Sequence, residues 1–459
     1  MDIEVDGDIN SHGKYTGNRG TKHDGSTSNG HAHVIKQKSD DKKDGSNKDH
    51  DFYFNFYSSL QNQANMIGDI SRTGTYRKAI LGNAEVAFKD KIVLDVGAGS
   101  GILSYMSAQA GAKEVIALEA SSMAEKIEIL IKAANAGKNN AHLKDRIRIV
   151  RGMVEDDTVQ RQVLEHGKVD TIISEPIGVM LLHERMVESF ILARDLFLKP
   201  GGQLLPSAGH VFFCPFSDEA LYNETDQKAQ FFNTTLFGTD FKELYPAARA
   251  EVFAQPVVGM FPPTSLISTP CAPKSFDFYT CTKEDLLEFS IPVDFVVHRT
   301  ALIHGLASWF DLDFYPRPLP LTEDAAWDYP INSGSNWQWM SQESPLNPGP
   351  TPAPPKDGLA VKLSTGPSAA RTHWQQARLL LPEPLAANKG ERLKGSIHFK
   401  VNEARSYDLV LELQIDRPGP EYDPNPLRRK AEYQLQQQCF NYSYNPDASL
   451  SALSMAAGL

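Results

Sequence analysis

Apolar positions are sparse over the first 50 residues, cluster abruptly from Asp51, and then follow two different rhythms on either side of Pro206. Residues 1–50 hold eight scattered hydrophobic residues and five histidines among Asp, Lys, Gly, Ser and Asn. So little apolar area cannot offset the entropy of ordering, so this stretch reads as a disordered polar tail. The irregular His spacing favours solvation over metal binding. Phe52, Tyr53, Phe54, Phe56 and Tyr57 then open a helical stretch that runs to Leu81 and packs on a core. From Lys91 strand and helix alternate. Lys91–Val96 is an apolar run ending at a glycine, the mark of a strand buried on both faces. Ile102–Gln109 is a helix stopped at Gly111, and Val115–Leu118 is a strand. Met123–Asn135 is a helix, and Ile147–Val150 and Val169–Ile173 are further strands. Glu184–Leu198 is the last helix, stopped by Lys199-Pro200-Gly201-Gly202. This succession predicts an α/β, doubly wound, Rossmann-like parallel sheet over 85–206.

Beyond Pro206 short alternating runs dominate: Val211–Cys214, Ser275–Tyr279, Phe289–Phe295, Ala377–Leu381, Leu393–Val401 and Tyr407–Ile415. They predict an antiparallel β domain over 207–445. A helical, aromatic-bearing segment at 217–247 interrupts it. Residues 315–360 carry ten of the 29 prolines and three tryptophans, Trp327, Trp337 and Trp339, and read as an insertion without a regular core. The chain thus divides into a tail (1–50), helices (51–84), the parallel-sheet domain (85–206), the β domain (207–445) and a frayed end (446–459).

Composition narrows the function. Of 459 residues 41% are hydrophobic and 22% charged, near globular averages. Forty-six basic against 57 acidic residues give a net charge of −11, which argues against duplex nucleic acid as the main partner and suits a cationic one. Cys214, Cys271, Cys281 and Cys439 lie far apart with no C-x-x-C pair, so neither a zinc site nor a disulfide framework is indicated. No secretory signal and no membrane-spanning run is recognisable, so an intracellular protein is expected and Asn223 is not expected to be glycosylated.

Two motifs carry candidate chemistry. Asp95-Val96-Gly97-Ala98-Gly99-Ser100-Gly101 lies between a strand and a helix, where glycines let a ligand approach the backbone. A dinucleotide fingerprint needs a glycine at the position of Ile102; its absence disfavours pyrophosphate and leaves a smaller nucleoside ligand. Glu119 ends the second strand where an acid hydrogen-bonds ribose hydroxyls, and the combination points to S-adenosyl-L-methionine. Glu155, after the third strand, is placed to accept from an adenine amino group and reads equally as a surface carboxylate. The second motif is Ser174-Glu175-Pro176-Ile177-Gly178 with Glu184 beyond it. Two nearby acids are commonly just solvated. Beside a cationic cofactor they have a use: guanidinium stays protonated, presents a planar fork of donors, and can be gripped by two carboxylates that aim one terminal nitrogen.

With Tyr53-Phe54-Asn55-Phe56-Tyr57, Asp69, Arg72-Thr73-Gly74-Thr75-Tyr76 and Thr372-His373-Trp374, these motifs make the chain resemble type I protein arginine methyltransferases over roughly 52–445. Pro176 favours the coactivator-associated, histone-arginine branch. The resemblance implies mono- and asymmetric dimethylation of arginines in proteins, including histone tails and transcription or RNA-binding factors. It also implies a β-barrel second domain, with the 217–247 interruption as the dimerisation arm of a homodimer. By position, Arg72 would meet the methionyl carboxylate, with Gln63 lining the pocket. Gly97, Gly99 and Glu119 would contact the methionine and ribose, Glu155 the adenine, and Ser189 the cofactor from the next helix. Glu175 and Glu184 would hold the guanidinium, and Tyr57 and Met66 would shape its pocket, though Met66 read alone is ordinary packing. His373 would pair with Asp69 and take up the proton; read without the family pattern it is a structural histidine.

The chain departs from the animal coactivator-associated enzyme at Ile177 and Val179, where that enzyme carries methionine and tyrosine, which leaves peptide preference open. The Pro-rich insertion has no counterpart there, and recruitment through a folded N-terminal domain is not expected. Alternatives are methyl transfer to another substrate class, or a silent scaffold of the same fold; the retained glycines and both glutamates speak against the scaffold. Nuclear and cytoplasmic residence both fit, and neither a membrane nor a metal is called for.

Overall fold

The computed structural model describes residues 57–317, 358–416 and 427–444. The 1–50 tail, Tyr53 to Phe56, the 446–459 end and the body of the 315–360 insertion, with its three tryptophans, lie outside the described residues. Two helices, α1 (Leu60–Gly68) and α2 (Ile70–Gly82), come first, joined at Asp69. The Asp69 carboxylate accepts the Arg72 N–H at 2.9 Å and so caps the free end of α2.

Five strands follow: β1 (Ile92–Val96), β2 (Glu114–Glu119), β3 (Ile147–Arg151), β4 (Val169–Ser174) and β5 (Leu198–Leu205). They lie in the order β3-β2-β1-β4-β5, every pair parallel. Helices α3 (Ile102–Gln109), α4 (Met123–Asn135), α5 (Asp157–Val163) and α6 (Met186–Phe197) make the crossovers. The central strands are fully buried (Val93, Leu94, Ile172 and Ile173 are inaccessible), as an apolar run between two helical layers requires. The predicted Rossmann-like sheet is therefore present.

The last helix ends at Phe197, just before Lys199-Pro200-Gly201-Gly202 as expected, and those residues lie inside β5, which pairs with β4 across a register shift. β5 is an edge strand, where a proline costs no ladder hydrogen bond and a glycine at φ 74° makes a bulge. The last helix starts at Met186, not Glu184, because Glu184 and Arg185 sit at φ 74° and 58°, outside the right-handed helical region.

The β domain forms two antiparallel layers, apart from one short parallel pair, as a barrel-like body. One layer is Lys274–Asp277, Ala208–Phe216, Ala301–Phe314, Ala377–Ala387, Val257–Val258 and Cys439–Phe440, with Val361–Ser364 beside the third. The other is Glu288–Val296, Arg392–Val401, Tyr407–Asp416 and Arg428–Gln434. Glu288–Val296 alternates buried and exposed residues as a one-sided strand does. Ala301–Phe314 is buried almost throughout, so its sequence lacks the alternation that marks the others. Helices Glu219–Gln230 and Tyr245–Phe253, with a hairpin between them, interrupt the layers. One core runs through both domains, and Tyr76 meets Phe314 and Phe190 meets Phe278 edge-on, at ring separations of 4.8 and 5.8 Å. Among the described residues no helix is long and apolar enough to cross a membrane.

Candidate active site

In the strand order β3-β2-β1-β4-β5 the connections run in opposite directions from β1 and β4, which opens a crevice beyond their carboxyl ends. The Gly-rich turn between β1 and α3 fills its edge, with Gly97, Gly99 and Gly101 all at positive φ. At Gly99, held at φ 54°, a Cβ would stand 3.2 Å from Gln63 Oε1 and crowd the amide that α1 lays over the turn. The Ser100 N–H donates to that same Gln63 Oε1 at 3.1 Å, and Gln63 Nε2 donates to the Tyr57 carbonyl at 2.9 Å. Glu119, buried at the end of β2, accepts the Gly99 and Ser121 N–H groups, each at 2.7 Å. Its oxygens fix the turn and keep further acceptor capacity. Asp95, inaccessible within β1, accepts from Ser104 Oγ at 2.7 Å, and burial pushes its carboxyl up to about 7.

The acids come from the chain between β4 and α6. Glu175 Oε2 accepts from Arg72 Nη2 at 2.7 Å, with both side chains almost wholly buried. Burial disfavours the charge on Arg72, but the Glu175 charge and hydrogen bond outweigh it and hold the guanidinium above its ordinary value. Glu184 lies on the other arm of the loop, where the Tyr57 hydroxyl stands 2.8 Å from each of its oxygens. Gly178 has no alternative: a Cβ there would lie 2.2 Å from the His183 carbonyl oxygen. Trp374 Nε1 donates to the Ile177 carbonyl at 3.1 Å and ties the loop to the β domain.

These groups surround one cavity of about 400 Å³, within the range that encloses a small organic ligand. Tyr57, Gln63, Met66 and Arg72 line it from the N-terminal helices, and Gly97, Gly99 and Glu119 from the sheet edge. Glu155, Glu175, Glu184 and Ser189 complete the wall, with Ser189 Oγ donating to Glu155 Oε1 at 2.8 Å. Eleven of the thirteen residues expected from sequence therefore meet at one site. Asp69 and His373 are not in the lining and stand behind Arg72. Sequence reasoning missed Met153, Met186 and Arg405, which also line the cavity. Arg405 comes from the β domain, more than 200 positions beyond Glu184, and no local signal marks it. The site fits an amino-acid-bearing nucleoside. Buried Arg72 keeps an unpartnered Nε, Glu175 an unpartnered Oε1, and the glycine turn exposes backbone toward the nucleoside end.

Behind the cavity His373 Nδ1 and the His373 N–H both stand 2.7 Å from Asp69 Oδ2. Burial works to raise the Asp69 pKa, but the hydrogen bond from the His373 ring and those from the Arg72 and His373 N–H groups outweigh it and hold the carboxyl below its ordinary value. A depressed carboxylate adds stability above its unfolded pKa, near 3.9, and loses it as pH falls through the lower folded value. Asp69→Asn keeps an N-cap but loses the ionic hydrogen bonds, at a cost of about 1.5–3 kcal/mol at neutral pH. Melting temperatures measured from pH 7 down should show the gap between wild type and variant closing below about pH 4. A constant gap would contradict the assignment.

Comparisons with known proteins bear on this geometry. The family model for the arginine methyltransferase oligomerization subdomain matches residues 207–333 and 355–418. That of the ribosomal protein L11 methyltransferase matches 79–204. A probable histone-arginine methyltransferase of Oryza sativa subsp. indica is 37% identical over 368 residues, 80% of this chain and 60% of the relative. The histone-arginine methyltransferase CARMER of Drosophila yakuba is 39% identical over 369 residues, 79% of this chain and 58% of the relative. The chain thus spans about three fifths of the length of the curated relatives it matches. Among solved structures, protein arginine methyltransferase 10 of Arabidopsis thaliana is similar with a TM-score of 0.64 and 26% identity, covering 83% of this chain and 100% of that one. A Trypanosoma brucei arginine methyltransferase enzyme–prozyme complex with AdoHcy gives 0.61 and 27%, with the same coverage.

Proposed function

The chain belongs to the protein arginine methyltransferase family, and from that premise we propose that it methylates arginine side chains of proteins using S-adenosyl-L-methionine. The observation that carries the proposal is the convergence of Glu175 and Glu184 on the cavity that also holds Arg72, the glycine turn and Glu119. When bound, the cofactor supplies an electrophilic methyl carbon on a sulfonium. Arg72 would take its carboxylate, the turn at Gly97 and Gly99 its methionyl backbone, Glu119 its ribose, and Glu155 with Ser189 its adenine end. Glu175 and Glu184 grip the substrate guanidinium, desolvated and permanently cationic, and draw its charge away from the terminal nitrogen that they aim at the methyl. Tyr57 holds Glu184 in line and Met66 borders the arginine pocket. On transfer the methyl carbon–sulfur bond would break as the new N–C bond forms, leaving the thioether AdoHcy, and the proton shed by the nitrogen would pass from the cavity to His373, oriented by Asp69. Alignment and electrostatics supply most of the rate, with no covalent intermediate on the protein.

The products proposed are monomethyl- and asymmetric dimethylarginine. Histone tails are proposed substrates, in keeping with the names of the relatives; transcription or RNA-binding factors are proposed beside them, with nucleus and cytoplasm as the proposed compartments. Labelled cofactor offered with an arginine peptide and with its lysine counterpart tests the reading: label on arginine alone is expected, and equal labelling overturns it. Loss of dimethylamine from the dimethylated peptide in the mass spectrometer marks the asymmetric product; loss of monomethylamine marks the symmetric one.

A homodimer is proposed on the same footing. Phe237 is fully exposed at the arm tip, Phe231 and Leu244 are more than half or half exposed, and Ile129 and Leu130 present an apolar spot on α4. Exposed apolar groups of this size on a projecting arm call for a partner. Phe237→Asp is expected to convert a dimer to a monomer by light scattering; an unchanged mass would remove the arm from the interface.

A further inference from the structure

The loop that carries Glu184 is built against its own backbone preferences. Met180, Leu181, Glu184 and Arg185 all occupy the left-handed region, at φ 55°, 71°, 74° and 58°. Non-glycine residues persist there only where their surroundings hold them. Turns inside the loop supply part of the hold: the His183 N–H donates to the Val179 carbonyl and the Arg185 N–H to the Leu182 carbonyl, each at 3.2 Å. The residues flanking Glu184 on both sides, however, reach outward to a single place in the β domain, the turn Asn402–Ser406. His183 Nδ1 stands 2.9 Å from Ser406 Oγ. Arg185 Nη1 lies 3.5 Å from the Asn402 carbonyl, while its Nε and Nη2 make a paired contact with Glu188 at 2.6 and 2.9 Å.

That turn is a rigid anchor. The Asn402 N–H donates to the Ser406 carbonyl at 2.9 Å, and Asn402 Oδ1 accepts the Ala404 and Ser406 N–H groups at 3.1 and 3.2 Å. Its amide nitrogen donates in turn to Asp408 and Gln436. Ser406 is inaccessible to solvent. Burial lowers the His183 pKa to about 4, so the ring meets Ser406 as a neutral partner at working pH.

Resting on the reading of Glu184 as a substrate-gripping acid, we propose that Ser406 is a positioning residue for methyl transfer, aiming Glu184 through its hydrogen bond to His183. The β domain then takes part in the reaction geometry, because the second acid keeps its place only while the turn holds the residue before it. Tyr57 restrains the Glu184 carboxylate from the N-terminal side, and Ser406 restrains its backbone from the opposite side.

The test is a double-substitution cycle on the full chain, with kcat on an arginine peptide, AdoHcy affinity by calorimetry, and melting temperature as readouts. Ser406→Ala and His183→Leu should each lower kcat by about 10- to 100-fold, as a small misplacement of a reacting group does. AdoHcy affinity should stay within about twofold, since neither residue lines the nucleoside end. The double variant should be no slower than the slower single one, because both remove one contact. His183→Asn, which keeps a polar atom where Nδ1 stands, should retain most of the turnover and shows that loss of packing is not the cause. Ser406→Ala turnover within about twofold of wild type, or losses that multiply in the double variant, would overturn the proposal. Wild-type protein that labels no arginine peptide would instead defeat the arginine methyltransferase reading itself, an outcome the cycle separates from failure of the Ser406 role.

Discussion

Glu184→Gln is expected to lower turnover on an arginine peptide by about a thousandfold while leaving AdoHcy affinity unchanged. The substitution keeps the shape of the side chain, and the Tyr57 hydroxyl can still donate to the remaining oxygen. It removes one negative charge and turns an NH₂ group toward a guanidinium that has only donors to offer. Loss of one preorganised electrostatic partner of this kind costs about 10² to 10³ in rate, and here the charge is lost as well. The cofactor contacts assigned to Arg72, Gly97 and Glu119 do not involve Glu184, so calorimetric titration with AdoHcy should be indistinguishable from wild type. Glu175→Gln makes the contrast. Glu175 holds buried Arg72 at 2.7 Å, so its loss should disturb both cofactor affinity and turnover. Turnover near normal in Glu184→Gln would remove that residue from the site.

Arg72→Leu should have the second largest effect, and on different quantities. Removing the cation leaves Glu175 buried against an apolar side chain without its counter-charge, a change that costs about 3–5 kcal/mol in buried pairs. It also removes the group assigned to the cofactor's carboxylate. AdoHcy affinity should therefore fall by about 100-fold or more, consistent with a lost charge-assisted pair. 5′-Methylthioadenosine, which carries the nucleoside but no amino-acid moiety, should bind wild type and variant alike. Equal losses for both ligands would show that Arg72 acts on the site as a whole and not on a carboxylate.

The sequence makes the nucleoside end of this site far more legible than the arginine end. The apolar run to Val96, the glycines after it and the helix from Ile102 are signals within a dozen residues, and each reflects a local requirement: burial on both faces, a turn at positive φ, a cap. Glu119 falls at a fixed distance because strand and helix have fixed lengths. The Glu184 loop offers no such cue. Four non-glycine residues in the left-handed region carry no sequence mark, and the reading of Glu184 as the start of a helix fails for that reason. Ala301–Phe314 is buried along most of its length and lacks alternation, and Pro200, just past the helix end, gives no sign of the edge strand it lies in. Arg405 reaches the cavity, and Ser406 the loop that carries Glu184, only because two β strands return the chain there, a tertiary outcome with no local pattern. His373 sits between these cases: its pairing with Asp69 follows from geometry, whereas the residues alone leave it a structural histidine.

The central claim, that two carboxylates clamp a cationic fork, is tested most directly by comparing an arginine peptide with its citrulline counterpart, which has nearly the same shape and no charge. With AdoHcy present at saturation, wild-type protein should bind the arginine peptide at least about 100-fold more tightly, the scale of a buried charge-assisted pair. The gap should narrow sharply in Glu184→Gln. Equal affinities of wild-type protein for the two peptides would contradict the account.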